Sequence, residues 1–159
     1  MFVRKIMSQP AKTITPADRA STAAMLMAQF NVGALPVCEA GRVVGMLTDR
    51  DVLVGCVARA LLPAETPVRQ LMSVPPVTID PSATLETAAE LMAKHGVRRL
   101  PVTTAGHVVG MLSAADVARG CDDMLAIAEM EKAIAEAHPS ALPQAADSGR
   151  SRRRQMAGS

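Results

Sequence analysis

Displaced by 65 positions, the chain lies on itself without a gap, and residues 3–56 match residues 68–121 at 29 of 54 positions. VRKIMSQPAKTITP falls on VRQLMSVPPVTIDP, and ALPVCEAGRVVGMLTDRDV on RLPVTTAGHVVGMLSAADV. A fold of this chain must therefore build one supersecondary unit twice. The organisation that follows is repeat 1 over residues 1–60, a linker at 61–67, repeat 2 at 68–122, a further helix at 123–137 and a tail at 138–159.

Each copy has the same grammar. A short extended piece (Thr13-Ile14, Thr78-Ile79) ends at Pro16 or Pro81, and a helix follows from about residue 18 or 84 to about 30 or 95. In the second copy Leu85, Ala88, Ala89 and Met92 recur at i, i+3, i+4 and i+7, the apolar stripe of a helix lying on a core. The segments around Gly41 and Gly106 read as antiparallel hairpins, and a second helix begins after Thr48 or Ser113. The order is β-α-β-β-α, twice. One unit of ~55 residues buries little surface by itself, so the fold class is α/β of the α+β kind, with the two units packed sheet to sheet about an approximate two-fold axis. In the helix near the C-terminus Met124, Ile127 and Ile134 share a face, which either caps the module or meets a second chain.

Apolar residues make up 49% of the 159 and charged residues 20%, enough for a packed core. No apolar run approaches the ~18–20 residues of a membrane span, and the N-terminus lacks a signal-peptide apolar region, so the expectation is a soluble cytoplasmic protein that enters no membrane. Cys38, Cys56 and Cys121 form an odd set without CxxC spacing, as suits reduced, buried thiols. His95, His107 and His138 are scattered, so no metal site is expected. Phe2 and Phe30 are the only aromatics, which removes the stacking platform on which single-stranded nucleic acid is held. Residues 138–159 carry a charge of +3, from Arg150, Arg152, Arg153 and Arg154 against Asp147, while residues 1–137 carry −1. We read the stretch 138–159 as a flexible, disordered basic tail, with an electrostatic nucleic-acid contact the weaker alternative.

The paired units, each with a Leu-Pro-Val strand and a turn GMLTDRD (residues 45–51) or GMLSAAD (residues 110–116), resemble tandem cystathionine-β-synthase (CBS) domains over residues 3 to about 121. The resemblance implies a regulatory module that binds an adenosyl effector (AMP, ADP, ATP, NAD or S-adenosylmethionine) in two clefts between the repeats. It also implies a homodimer and a regulated partner protein whose identity the sequence does not give. No nucleophile and base set, carboxylate pair or Walker loop is present, and the repeats leave no room for a catalytic barrel such as that of inosine-monophosphate dehydrogenase, so no catalytic residues and no required cofactor are expected.

Thr48 and Ser113 sit where strand becomes helix, so their hydroxyls and the first free N–H groups would face a cleft and suit a phosphate. Asp51 and Asp116, one turn on, take in the family the role of accepting two hydrogen bonds from a ribose diol. The same residues, as T-x-x-D and S-x-x-D, are also capping-box variants that need no ligand, and the two roles are compatible. Carried over from similar proteins, one cleft combines Thr48, Asp51, Thr78, Ile79, Arg98 and Arg99, the other Ser113, Asp116, Thr13, Ile14 and Ala34. The first is then basic and suited to multiply phosphorylated ligands, and the second nearly neutral. The alternative for the whole chain is a constitutive dimerisation scaffold with empty clefts. Gly55 and Gly120, each followed by cysteine, point to close helix packing, with an interface between two copies one form of it, and Met25, Met27, Met92 and Met111 to core filling.

Overall fold

The computed structural model describes residues 1–137, and the expected tail at 138–159 lies outside the described residues. The architecture is a mixture of helices with antiparallel strands. In repeat 1, helix α1 (Ala20–Phe30) precedes strands β1 (Ala34–Glu39) and β2 (Arg42–Thr48), then helix α2 (Asp49–Val52), which widens into a π turn over Leu53–Val57. Repeat 2 follows with α3 (Leu85–His95), β3 (Arg99–Thr104), β4 (His107–Ser113) and α4 (Ala114–Gly120), and α5 (Met124–Ala137) comes last.

Each hairpin turns at an Ala-Gly pair with positive φ: Ala40 and Gly41 at 50° and 78°, Ala105 and Gly106 at 51° and 81°. Two successive positive φ values are the turn whose twist matches the flanking strands. The extended piece before the first helix adds a parallel bridge on the other edge of the hairpin, Ile14 to Val37 and Ile79 to Val102. The two hairpins join through β2 and β4 at the pair Arg42–His107, so the strand order β1-β2-β4-β3 is symmetric about its centre.

The buried residues form two clusters. One contains Leu35, Val37, Leu47, Val52 and Val68, the other Val3, Leu100, Val102, Leu112 and Val117. Each cluster also takes its repeat's first helix, through Ala20, Ala23 and Met27 or Leu85, Ala88, Ala89 and Met92, so each core lies between a hairpin and its own helices.

Val3 and Val68 sit in the opposite repeat's cluster, because the repeats exchange their leading segments. Val3 N–H donates to Ala83 O at 2.9 Å and Val68 N–H to Asp18 O at 2.8 Å, two bonds related by the same 65-residue shift. Ser8 exchanges both backbone bonds with Met111, at 2.8 and 3.0 Å, and Ser73 does so with Met46, at 2.8 and 3.1 Å. Gly110 and Gly45 are glycines for this reason: a Cβ would stand 2.8 Å from Ser8 O and 3.0 Å from Ser73 O, backbone atoms with nowhere to move.

Gly55 and Gly120 pack inside the chain. A Cβ at Gly55 would come 2.9 Å from Leu71 Cδ2, and one at Gly120 2.8 Å from Leu85 Cδ1, so internal packing already accounts for their recurrence. The stripe of α5 is Ile127, Met130 and Ile134, with Met130 fully buried against repeat 2; Met124, expected on that face, is 74% exposed. It is the first residue of the helix, whose start is capped by Asp123 Oδ1 accepting from Ala126 N–H. Met27 and Met92 are buried as expected, whereas Met25 is exposed.

Candidate functional site

Antiparallel pairing fixes what stands next to each strand-to-helix turn. Ala34 pairs with Thr48 and Arg99 with Ser113, so the residues that precede each Leu-Pro-Val strand lie beside the turn of their own repeat. Gly33 O accepts from Asp49 N–H at 2.9 Å, and Arg98 O accepts from Ala114 N–H at 2.7 Å.

Both turns are complete capping boxes. Thr48 Oγ1 accepts from Asp51 N–H at 3.1 Å while Asp51 Oδ2 accepts from Thr48 N–H at 2.8 Å. Ser113 and Asp116 repeat the exchange at 3.1 and 2.9 Å. The box engages one carboxylate oxygen, and in Asp116 the other, Oδ1, accepts from Arg119. Arg119 is 72% exposed on its side chain, so the ion pair orients the carboxylate more than it stabilises the fold, at ~0–1 kcal/mol.

A cleft of about 270 Å³ opens between the repeats at Ser113 and Asp116. Pro10, Ala11, Val32, Met111 and Leu112 give it apolar surface, and Ser8, Asn31, Ser113 and Asp116 give it hydrogen-bonding groups. Two cations line it: Lys12 from the leader of repeat 1 and Arg99 from repeat 2. Arg99 lies across Gly33, where a Cβ would meet its Nη2 at 2.8 Å and Asp49 Oδ2 at 3.1 Å. Lys12 Nζ rests 4.3 Å from the centroid of the Phe30 ring. The volume is near the lower end of the ~300–1,000 Å³ typical of small-molecule sites.

Of the residues named from sequence, Ala34, Arg99, Ser113 and Asp116 line this cleft together. Arg99, expected with Thr48 and Asp51, is paired with Ser113 by the β3–β4 register, and its guanidinium reaches Gly33 beside Asp49. The cleft read as nearly neutral thus carries Lys12 and Arg99. Arg98 is exposed, its carbonyl tied to the start of α4. Ile14 and Ile79 are 3% and 5% exposed, and their side chains lie in the core. Thr13 and Thr78 are exposed beside them. Thr48 and Asp51 cap α2 at the opposite end of the pseudo-symmetry.

The sequence reading omits Lys12, Asn31 and Met111 from the site. The signal for Lys12 was available in the repeat alignment, where it stands against Val77, as Arg99 stands against Ala34 and Arg119 against Val54.

Cys38, Cys56 and Cys121 are free and buried, and burial pushes the thiols of Cys38 and Cys121 up, away from nucleophilic chemistry. Among the described residues, no cluster of three or more His, Cys, Asp or Glu is placed to hold a metal, and no helix is long and apolar enough to cross a membrane.

Comparison with known proteins gives three consistent results. The family model described as CBS domain matches residues 3–56 and 68–123. The CBS domain-containing protein YhcV of Bacillus subtilis (strain 168) is 40% identical over 116 residues, which span 73% of this chain and 82% of the relative. Hypoxic response protein 1 of Mycobacterium tuberculosis (strain H37Rv) is 33% identical over 132 residues, 82% of this chain and 92% of that one. Among solved structures, CBSX2 in complex with AMP superposes with a TM-score of 0.63 at 28% identity, over 74% of this chain and 93% of its own.

Proposed function

The chain belongs to the CBS domain family, and on that premise we propose that it is a regulatory module that senses an adenosine nucleotide in the Ser113–Asp116 cleft and passes the state of that cleft to a partner protein. The observation that carries the reading is the composition of one cavity: an ionised carboxylate and a hydroxyl for the ribose, aliphatic walls for the base, and Lys12 with Arg99 for phosphate. The related CBSX2, solved with AMP, supports the ligand class.

The nucleotide is AMP, ADP or ATP, with NAD and S-adenosylmethionine as further adenosyl candidates. We assign the Thr48–Asp51 turn the weaker affinity, since Val77 stands there in place of Lys12. A ligand acts by its different affinity for two arrangements of the repeats, and this cleft draws residues from both. The reading also takes the chain as a homodimer in a reducing, cytoplasmic compartment and assigns it no catalytic step. Leu53, Val57 and Leu62, 58%, 54% and 61% exposed, supply apolar surface for such a contact. Sedimentation at micromolar concentration tests it, and a monomer there removes the dimer from the reading.

Thermal unfolding with AMP, ADP, ATP, NAD, S-adenosylmethionine and GTP tests the ligand class. A ligand at ~100 times its Kd adds about 2.7 kcal/mol, which raises the midpoint of a chain of this size by roughly 5–10 °C. The expected outcome is such a rise with adenosyl nucleotides and none with GTP. The second reading, a constitutive scaffold, rests on both capping boxes being complete without a ligand, and it predicts no rise with any of them.

A further inference from the structure

We propose that Lys12, steadied on the face of Phe30, is the residue that makes the Ser113–Asp116 cleft select multiply phosphorylated adenosine ligands over AMP. The inference rests on the nucleotide-binding reading above and adds to it the charge class of the ligand and the side chain that reads it.

Lys12 is the cation of this cleft that the pseudo-symmetry does not return at the other turn, where the equivalents of Gly33 and Ala34 are Arg98 and Arg99. Lys12 stands where repeat 2 has Val77, which packs against the core of repeat 2, whereas Ala34 and Arg99 both line the cleft and exchange under the shift. The two cations have separate stations. Arg99 is half-buried and lies across Gly33, with Asp49 Oδ2 beside the same glycine. Lys12 is exposed and is held by a ring rather than by a carboxylate: its Nζ lies 4.3 Å from the centroid of Phe30, and no described ion pair engages it. A ring face positions an ammonium without neutralising it, so the charge of Lys12 stays available to a ligand.

With the ribose on Asp116, repulsion from that carboxylate sends the phosphates toward Arg99 and Lys12. The half-buried guanidinium, a planar fork, takes the first phosphate. The exposed ammonium, a compact point charge at the mouth, meets the second and third. Lys12 belongs to the leader of repeat 1, whose Ser8 is paired with Met111 of repeat 2, so a polyphosphate would draw together two segments already in register.

The test is calorimetric titration of the full chain with AMP, ADP and ATP, using wild type, Lys12→Val, Lys12→Gln, Lys12→Arg and Phe30→Leu. Lys12 is exposed, so its variants should fold, which an unchanged melting midpoint without ligand confirms. Wild type is expected to prefer ATP to AMP by about tenfold, the effect of one favourable charge contact. Lys12→Val and Lys12→Gln should bring that ratio to about one while AMP affinity stays within roughly twofold, Lys12→Arg should keep it, and Phe30→Leu should lower it partway. An ATP to AMP ratio that survives Lys12→Val overturns the role of Lys12 and leaves the nucleotide reading standing. Binding of none of the three by wild type overturns the nucleotide reading, and the selectivity with it.

Discussion

A chain that begins at Gln9 is expected to lose the fold of its second repeat while the first persists. Residues 1–8 are covalently part of repeat 1 but structurally part of repeat 2. Val3 is fully buried in the cluster of Leu100, Leu112 and Val117, and burying a valine is worth ~1.5–3 kcal/mol. Val3 and Arg4 donate to Ala83 and Pro81, Leu85 N–H at the start of α3 donates to Met1 O, and Ser8 exchanges two bonds with Met111. At about 1 kcal/mol net each, these bonds and the valine together approach the ~5–15 kcal/mol by which a whole domain is stable. Hydrogen exchange checks the direction. Amides of α3, β3 and β4 should lose their protection, and those of α1, β1 and β2 should keep most of theirs, since their own leader, with Val68, remains in place. Loss confined to the first repeat would falsify the exchange of leaders.

That exchange also marks where reading the sequence stops. The hairpins, the stripe of α3 and both capping boxes are local: spacing and turn residues dictate them, and they stand within a residue or two of their expected places. The destination of Val3 is not local. Its sequence neighbourhood is identical in kind to that of Val68, and nothing in either states which of two equivalent cores it enters. Pseudo-symmetry makes the two choices equal in contacts, and chain connectivity decides between them.

The site is legible only in part for a related reason. The crossing between repeats is carried by the leader, with Ser8 and Lys12, and by the residues from the end of α1 to the start of β1, with Asn31, Val32, Gly33 and Ala34. The antiparallel register leaves Arg99 at home beside Ser113. Ile14 and Ile79 follow Thr13 and Thr78 in extended segments, where alternate residues face opposite ways, and the isoleucine side chains face inward. Lys12 stood in plain view as the one cation in its segment between Met7 and Arg19, but its meaning depends on Val77 holding the matching place in repeat 2.

The capping boxes leave one question that a single atom resolves: whether Asp116 is there for its helix or for a ligand. Asp116→Asn keeps an oxygen to accept from Ser113 N–H and keeps the Ser113 hydroxyl on the residue 116 N–H, so the cap survives largely intact. What it removes is the charge and one accepting face, which a ribose diol needs because both of its groups donate. Without ligand the variant should melt only about 2–4 °C lower, in line with partial loss of a cap worth ~1 kcal/mol. Its nucleotide affinity should fall by roughly 10–100-fold, the cost of losing a hydrogen bond to a charged acceptor. Asp51→Asn makes the same chemical change at the other box and should show the same small drop in melting with nucleotide affinity unchanged, because the cations stand at the Asp116 cleft. Equal effects of the two variants on affinity would restore the equivalence of the clefts. An effect of Asp51→Asn alone would move the nucleotide to the Thr48 turn, and the charge asymmetry between Lys12 and Val77 would then lie on the wrong side to matter.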